Sequence, residues 1–199
     1  LQAILLDACP TCNYSETAPD SYTHHIRLQN SEIKNWPGYA ISVGGPSSGT
    51  CVSCAGNHEL LNNDLHDVGK DTYLGQNLAV YISTVGWLVE GNKIHDVPSG
   101  ITVFTSFDVT TPSATIRNNE FFAIANIHAG CDQGPAIQLA HRSVASDVHS
   151  NIFRNLTQGA SGVGGIRVGI DPTDGHRIYN NTFFERFVFL CNNERVSGH

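Results

Sequence analysis

A seven-residue stretch of this chain is written twice, as Ile116-Arg-Asn-Asn-Glu-Phe-Phe122 and as Ile178-Tyr-Asn-Asn-Thr-Phe-Phe184. Weaker copies of its frame, apolar-x-x-Asn-x-apolar, begin at Leu28, Leu60, Val89 and Val148. The framed position holds Ser31, Asn63, Asn92, Asn119, Asn151 and Asn181, so the 150 residues from first to last divide into five intervals averaging 30. A fixed period of roughly 20–50 residues marks a repeat architecture, in which each unit buries its apolar face only against its neighbours.

Short alternating segments run in phase with the asparagines. They are Ala40–Val43, Ala79–Ile82, Gly100–Val103, Ala136–Leu139, Gly165–Val168 and Phe187–Leu190, preceded by Ala3–Leu6. Each reads as the first strand (PB1) of a coil, followed by two strands on either side of the Asn corner. No repeat holds the run of about 10 periodic residues that a helix needs. Strands recurring without hairpin turns stack parallel on their counterparts, about 4.8 Å apart. An inward Asn can bond its equivalents above and below and satisfy turn groups that water cannot reach. The expected fold is all-β, a right-handed parallel β-helix (solenoid) of about six coils with an Asn ladder, the hand taken from the crossover rule.

With this ladder between second and third strands, the chain resembles the pectate-lyase-like superfamily of right-handed β-helices over residues 3–191. The resemblance implies the fold. It leaves function open among polysaccharide lyases, glycoside hydrolases, epimerases, tailspikes and surface adhesins.

At 199 residues the chain reads as one β-helix domain, 1–191, with a polar tail, 192–199. A strand at each extremity without a capping helix implies a segment of a longer β-helix, or ends that associate with other chains. The absence of Met implies a processed or trimmed N-terminus. A net charge of −7 argues against nucleic acid as partner, and no run is long enough to span a membrane. Six cysteines point to an oxidising compartment, hence to an extracellular or cell-surface (secreted) protein. Sequons at Asn13 and Asn155 fall in expected loops, and a third lies at Asn180.

Cys9-x-x-Cys12 and Cys51-x-x-Cys54 occupy equivalent loops of consecutive coils. Four such thiols suit a tetrahedral zinc site, or they staple the two long loops as disulfides. In a secreted chain disulfides are the preferred reading, with no cofactor, although calcium is compatible with the carbohydrate reading below. His66-Asp67 and His95-Asp96 follow the third-strand apolar position in adjacent coils and are read as solvated columns, not as a metal site.

The outward PB1 column runs Leu5, Ser42, Tyr81, Thr102, Gln138, Arg167 and Phe189, with His141, Arg142 and Asp171 at the strand ends. In the superfamily this chain resembles, that face is the groove for an extended sugar chain. Tyr81, Thr102, Gln138 and Asp171 would then hold polysaccharide through ring contacts and hydrogen bonds. For lyase-type cleavage, Arg167 is the candidate base, aided by His141 and Arg142. The chain lacks the three-Asp cluster of polygalacturonase-type hydrolases and the dense acidic patch of calcium-dependent pectate lyases. Whether it is an enzyme is therefore left open. The competing reading is structural: a coil segment of a fibre, adhesin or filament.

Overall fold

The computed structural model describes residues 2–7, 25–44, 56–70, 78–104, 113–124, 134–140, 145–156, 165–169 and 175–184. Eighteen strands and no helix occur among these described residues, and successive strands go to three sheets in turn. The PB1 sheet is β1 (Gln2–Asp7), β4 (Tyr39–Gly44), β7 (Val80–Ile82), β10 (Ile101–Phe104), β13 (Ile137–Ala140) and β16 (Ile166–Val168). The PB2 sheet is β2 (Arg27–Gln29), β5 (Glu59–Leu61), β8 (Trp87–Glu90), β11 (Ala114–Arg117), β14 (Asp147–His149) and β17 (Arg177–Tyr179). The PB3 sheet is β3 (Glu32–Trp36), β6 (Asp64–Val68), β9 (Lys93–His95), β12 (Glu120–Phe122), β15 (Ile152–Arg154) and β18 (Thr182–Phe183). Every pairing is parallel. The chain is an all-β parallel solenoid, and its PB1 strands fall on the alternating segments, apart from 187–190, which lie outside the described residues.

Parallel register places each inward side chain on its equivalent one rung away. In PB2 the inward file includes Leu60, Val89, Ile116 and Val148, all but sealed from water. In PB3 it passes from Leu65 and Ile94 to Phe121, Phe153 and Phe183, whose rings stack at 5.1 Å and 4.6 Å. Burying one such Phe side chain is worth about 1.5–3 kcal/mol.

The corner between PB2 and PB3 explains the doubled asparagine of the sequence. Its first residue takes a left-handed backbone: Asn30, Asn62, Gly91, Asn118, Ser150 and Asn180 have φ of 53–69°. Asn and Gly accept that conformation more readily than other residues, for which it costs roughly 1–2 kcal/mol. Gly91 also makes room, because a Cβ there would lie 2.3 Å from Asn62 Oδ1.

The second corner residue is the inward Asn. At each step its backbone N–H and its Nδ2 both donate to Oδ1 of the next Asn. Asn92, for example, reaches Asn119 at 2.9 Å by either donor. The same geometry links Asn63 to Asn92, Asn119 to Asn151 and Asn151 to Asn181. The amide also donates backwards, to carbonyls of Leu28, Leu60, Val89, Ile116 and Val148. Ser31 breaks the pattern at little cost. Its N–H donates to Asn63 Oδ1 at 3.0 Å like the others, and its hydroxyl turns to the Gln29 carbonyl.

Replacing Asn119 by Ala strips the acceptor from two buried donors on Asn92 and should lower unfolding free energy by about 2–5 kcal/mol. Asn35→Ala, at an exposed left-handed corner, should cost only about 1 kcal/mol. Urea denaturation of both variants checks the contrast, and equal losses would show that the ladder is dispensable.

Candidate functional site

PB1 pairing aligns Leu5 with Ser42, Ser42 with Tyr81, Tyr81 with Thr102, Thr102 with Gln138, and Gln138 with Arg167. Alternation sends their neighbours inward: Ile41, Val80, Ile101, Ile137 and Ile166 are buried in the core. The outward file differs from the open groove the sequence suggests, since Ser42, Thr102, Gln138 and Arg167 are only 5–7 % exposed. A hydroxyl, a carboxamide and a guanidinium out of water must be hydrogen-bonded or neutralised, which makes an enclosed polar strip chemically specific.

The half-buried part of this face is aromatic. Tyr39 stacks on Tyr81 at 5.9 Å, and Phe104 lies tilted 6.0 Å beyond Tyr81. Burial, with the neighbouring Tyr81 adding to it, pushes the Tyr39 phenol up to about 12. Burial likewise raises Tyr81 above its ordinary value. Both phenols therefore stay protonated near neutrality and keep a donor as well as an acceptor for a hydroxylated or anionic ligand.

His141, Arg142, Asp171, Asn13 and the paired Cys9, Cys12, Cys51 and Cys54 lie outside the described residues. Asn155 is exposed at a left-handed corner, φ 50°, just after β15. The structure thus brings Tyr81, Thr102, Gln138 and Arg167 onto one face, with Asn155 on a corner elsewhere.

The PB3 face is more ordered than a solvated column. His66 and His95 stack with centroids 4.8 Å apart and planes 5° from parallel, and Phe122 continues the stack 4.2 Å from His95. The Arg154 guanidinium sits 4.2 Å from the Phe122 ring and donates to Glu120 at 2.6 Å. His66 Nδ1 and Nε2 meet Asp67 and Glu32 at 2.9 and 3.1 Å, and those of His95 meet Asp96 and Asp64 at 2.7 and 2.9 Å. Among the described residues no group of three or more His, Cys, Asp or Glu is placed to hold a metal ion.

Two further histidines escaped the sequence reading. His58 Nδ1 accepts from the Ile26 N–H at 3.2 Å, beside the Trp87 ring at 4.8 Å. His176 Nδ1 accepts from the Ser146 N–H at 3.1 Å. Each stands one residue before a PB2 strand, and this shared frame was the signal available. They tie a corner to the rung before it and need an unprotonated Nδ1 to do so.

Among the described residues no helix is long and apolar enough to cross a membrane. The fold and this polar face define a parallel β-solenoid with an enclosed PB1 strip. Comparison with family models, with curated proteins and with solved structures gave no match.

The Tyr39 shift predicts a late step near 12 in an alkaline absorbance titration. Tyr39→Phe should remove the late step. Its persistence would mean that the step does not belong to Tyr39.

Proposed function

We propose that this protein binds an acidic polysaccharide along its PB1 face, outside the cell. The observation that carries the reading is the register that stacks Tyr81, Thr102, Gln138 and Arg167 in one outward file, with Tyr39 and Phe104 beside it. The half-exposed rings and phenols suit sugar faces and hydroxyls, and a guanidinium suits a uronate carboxylate in bidentate geometry. The pectate-lyase-like resemblance supports the same ligand class.

Lyase-type cleavage is the chemistry this site would carry. Arg167, having first given up its own proton to water, would take the proton alpha to the uronate carboxylate. The released electron pair would form the C=C bond as the β-positioned glycosidic C–O bond breaks, and the leaving oxygen would take a proton from water. His141 and Arg142 are the helper candidates and Asp171 a further ligand contact. Disulfides at Cys9, Cys12, Cys51 and Cys54, rather than zinc, and glycans on Asn13 and Asn155 belong to the same secreted reading.

Arg167→Ala should weaken binding to uronate polymers by about tenfold or more, the scale of a lost charge-assisted bond. Arg154→Ala, on the PB3 face, should leave binding unchanged. Calorimetry against a polymer panel measures both, and ultraviolet absorbance of an unsaturated product tests for cleavage. Equal behaviour of the two variants would remove the PB1 assignment.

A structural reading is favoured by one specific observation. Ile178 points inward like its register partner Val148, yet it is 42 % exposed where Val148 is fully buried. A second copy pairing with the β17 edge would cover it, as expected for a coil segment of a fibre, adhesin or filament. Sedimentation as a monomer at high concentration would count against that reading.

A further inference from the structure

The histidine stack on PB3 takes no part in the polysaccharide reading, and its geometry is unusual for a surface column. Both rings are pressed face to face and largely shielded, with side-chain exposures of 17 % for His66 and 16 % for His95. All four ring nitrogens meet carboxylate oxygens, two of them on a neighbouring strand: His66 reaches back to Glu32 of β3, and His95 to Asp64 of β6. The other two carboxylates are Asp67 and Asp96, each immediately after its histidine and held at φ 53°.

A neutral imidazole has one N–H and one lone pair, so it can satisfy only one of two flanking carboxylates. The other contact becomes lone pair against anion. Only the doubly protonated ring donates to both. We propose that His66, stacked on His95 and bridged to carboxylates on two strands, forms a proton-operated clasp that fastens β3, β6 and β9 to one another and slackens this face as the His66 ring loses its second proton.

The charges around the clasp support the protonated state. Two stacked cations repel, but four carboxylates surround them, and the Phe122 ring face on the far side of His95 attracts a cation. Three ammonium groups lie near. Lys34 donates to Glu32 and Lys70 to Asp67, while Lys93 is aligned with Asp64. On β12, Glu120 is engaged by Arg154 and so does not offset the cations. With three lysines against Glu32, Asp64, Asp67 and Asp96, the cluster carries +1 with both rings charged and −1 with neither, so the direct ring–carboxylate contacts decide the state and the net charge does not.

The direction of the pH effect follows. The hydrogen bond that His66 donates to Asp67, opposed by burial and supplemented by Glu32, raises His66 above the ordinary value of 6.5. Stabilisation from a raised histidine is complete below the unfolded value and is lost as pH rises through the folded one. The two carboxylates that flank His66 are both held below their ordinary values. Lys70 and then His66 hold Asp67 at about 2, and Lys34 and then His66 lower Glu32. The clasp is therefore fastened below the ordinary histidine value and slackens as pH rises through the raised His66 value. His58 and His176, whose Nδ1 atoms accept backbone bonds, lie at the PB2 corners and not on this face.

Two measurements on the whole chain test this. Histidine ring 15N resonances should show both nitrogens of His66 protonated below the ordinary histidine value and one proton lost only as pH rises above it. Hydrogen exchange corrected for intrinsic rate should show Ile33, Leu65 and Ile94 losing about tenfold more protection over that rise than Phe153 on β15. In the His66→Gln/His95→Gln variant that excess should vanish. A His66 ring already neutral below the ordinary histidine value, equal losses on β15, or an excess that survives in the variant would each overturn the clasp. Should the variant fail to fold, the two measurements on the unsubstituted protein decide alone. Neither involves polysaccharide, so their outcome is independent of the PB1 assignment.

Discussion

The carboxamide of each inward asparagine lets this chain turn a corner inside an apolar core. Asn63, Asn92, Asn119 and Asn151 are at most 2 % exposed; the last three each accept two bonds through Oδ1 and Asn63 accepts one, while each donates two or three through Nδ2. An unmet buried polar group costs about 1–3 kcal/mol, so a bend repeated at every rung would consume a small domain's stability without such a partner. Once the bend is secured, the three sheets follow. Each rung presents its apolar residues to one narrow interior and its remaining residues to neighbours directly above and below.

Likeness along the axis is therefore the rule of construction. Phenylalanine stacks on phenylalanine inside PB3, histidine on histidine outside it, and tyrosine on tyrosine along PB1. Charge follows by complement instead: Glu90 faces Arg117 at 2.8 Å, and Arg177 faces Asp147 at 2.6 Å. Exposed pairs of this kind contribute about 0–1 kcal/mol each, so they steer register more than they stabilise. The enclosed PB1 strip stands apart, since polar side chains there are kept from water where the PB2 columns are not.

The frame of the fold was legible in the sequence because its signal is periodic. The asparagines, the alternating PB1 segments and the alignment of Tyr81 with Thr102, Gln138 and Arg167 all follow from counting. Features that depend on three-dimensional closeness were not legible. The first Asn of each doublet read as part of a motif, whereas its left-handed φ is what the corner needs. His66 and His95 were placed in one column correctly, but four carboxylates around two rings come from three strands and two corners. The burial of Gln138 and Arg167 carries no sequence signal, because alternation says only which side of the sheet a residue faces.

The ladder has a bearing on how this protein ages. An asparagine deamidates when the backbone nitrogen of the following residue swings round to attack its side-chain carbonyl. Here those nitrogens belong to Asp64, Lys93, Glu120, Ile152 and Thr182, and each donates to a carbonyl of the preceding rung at 2.8–2.9 Å. The carbonyl that would be attacked is itself held from the rung before, by one donor at Asn63 and by two at each of the others. Both reacting groups are thus tied to the preceding rung, and neither is free to swing toward the other. The residues usually regarded as the most perishable in a polypeptide are thus the ones this fold keeps chemically still.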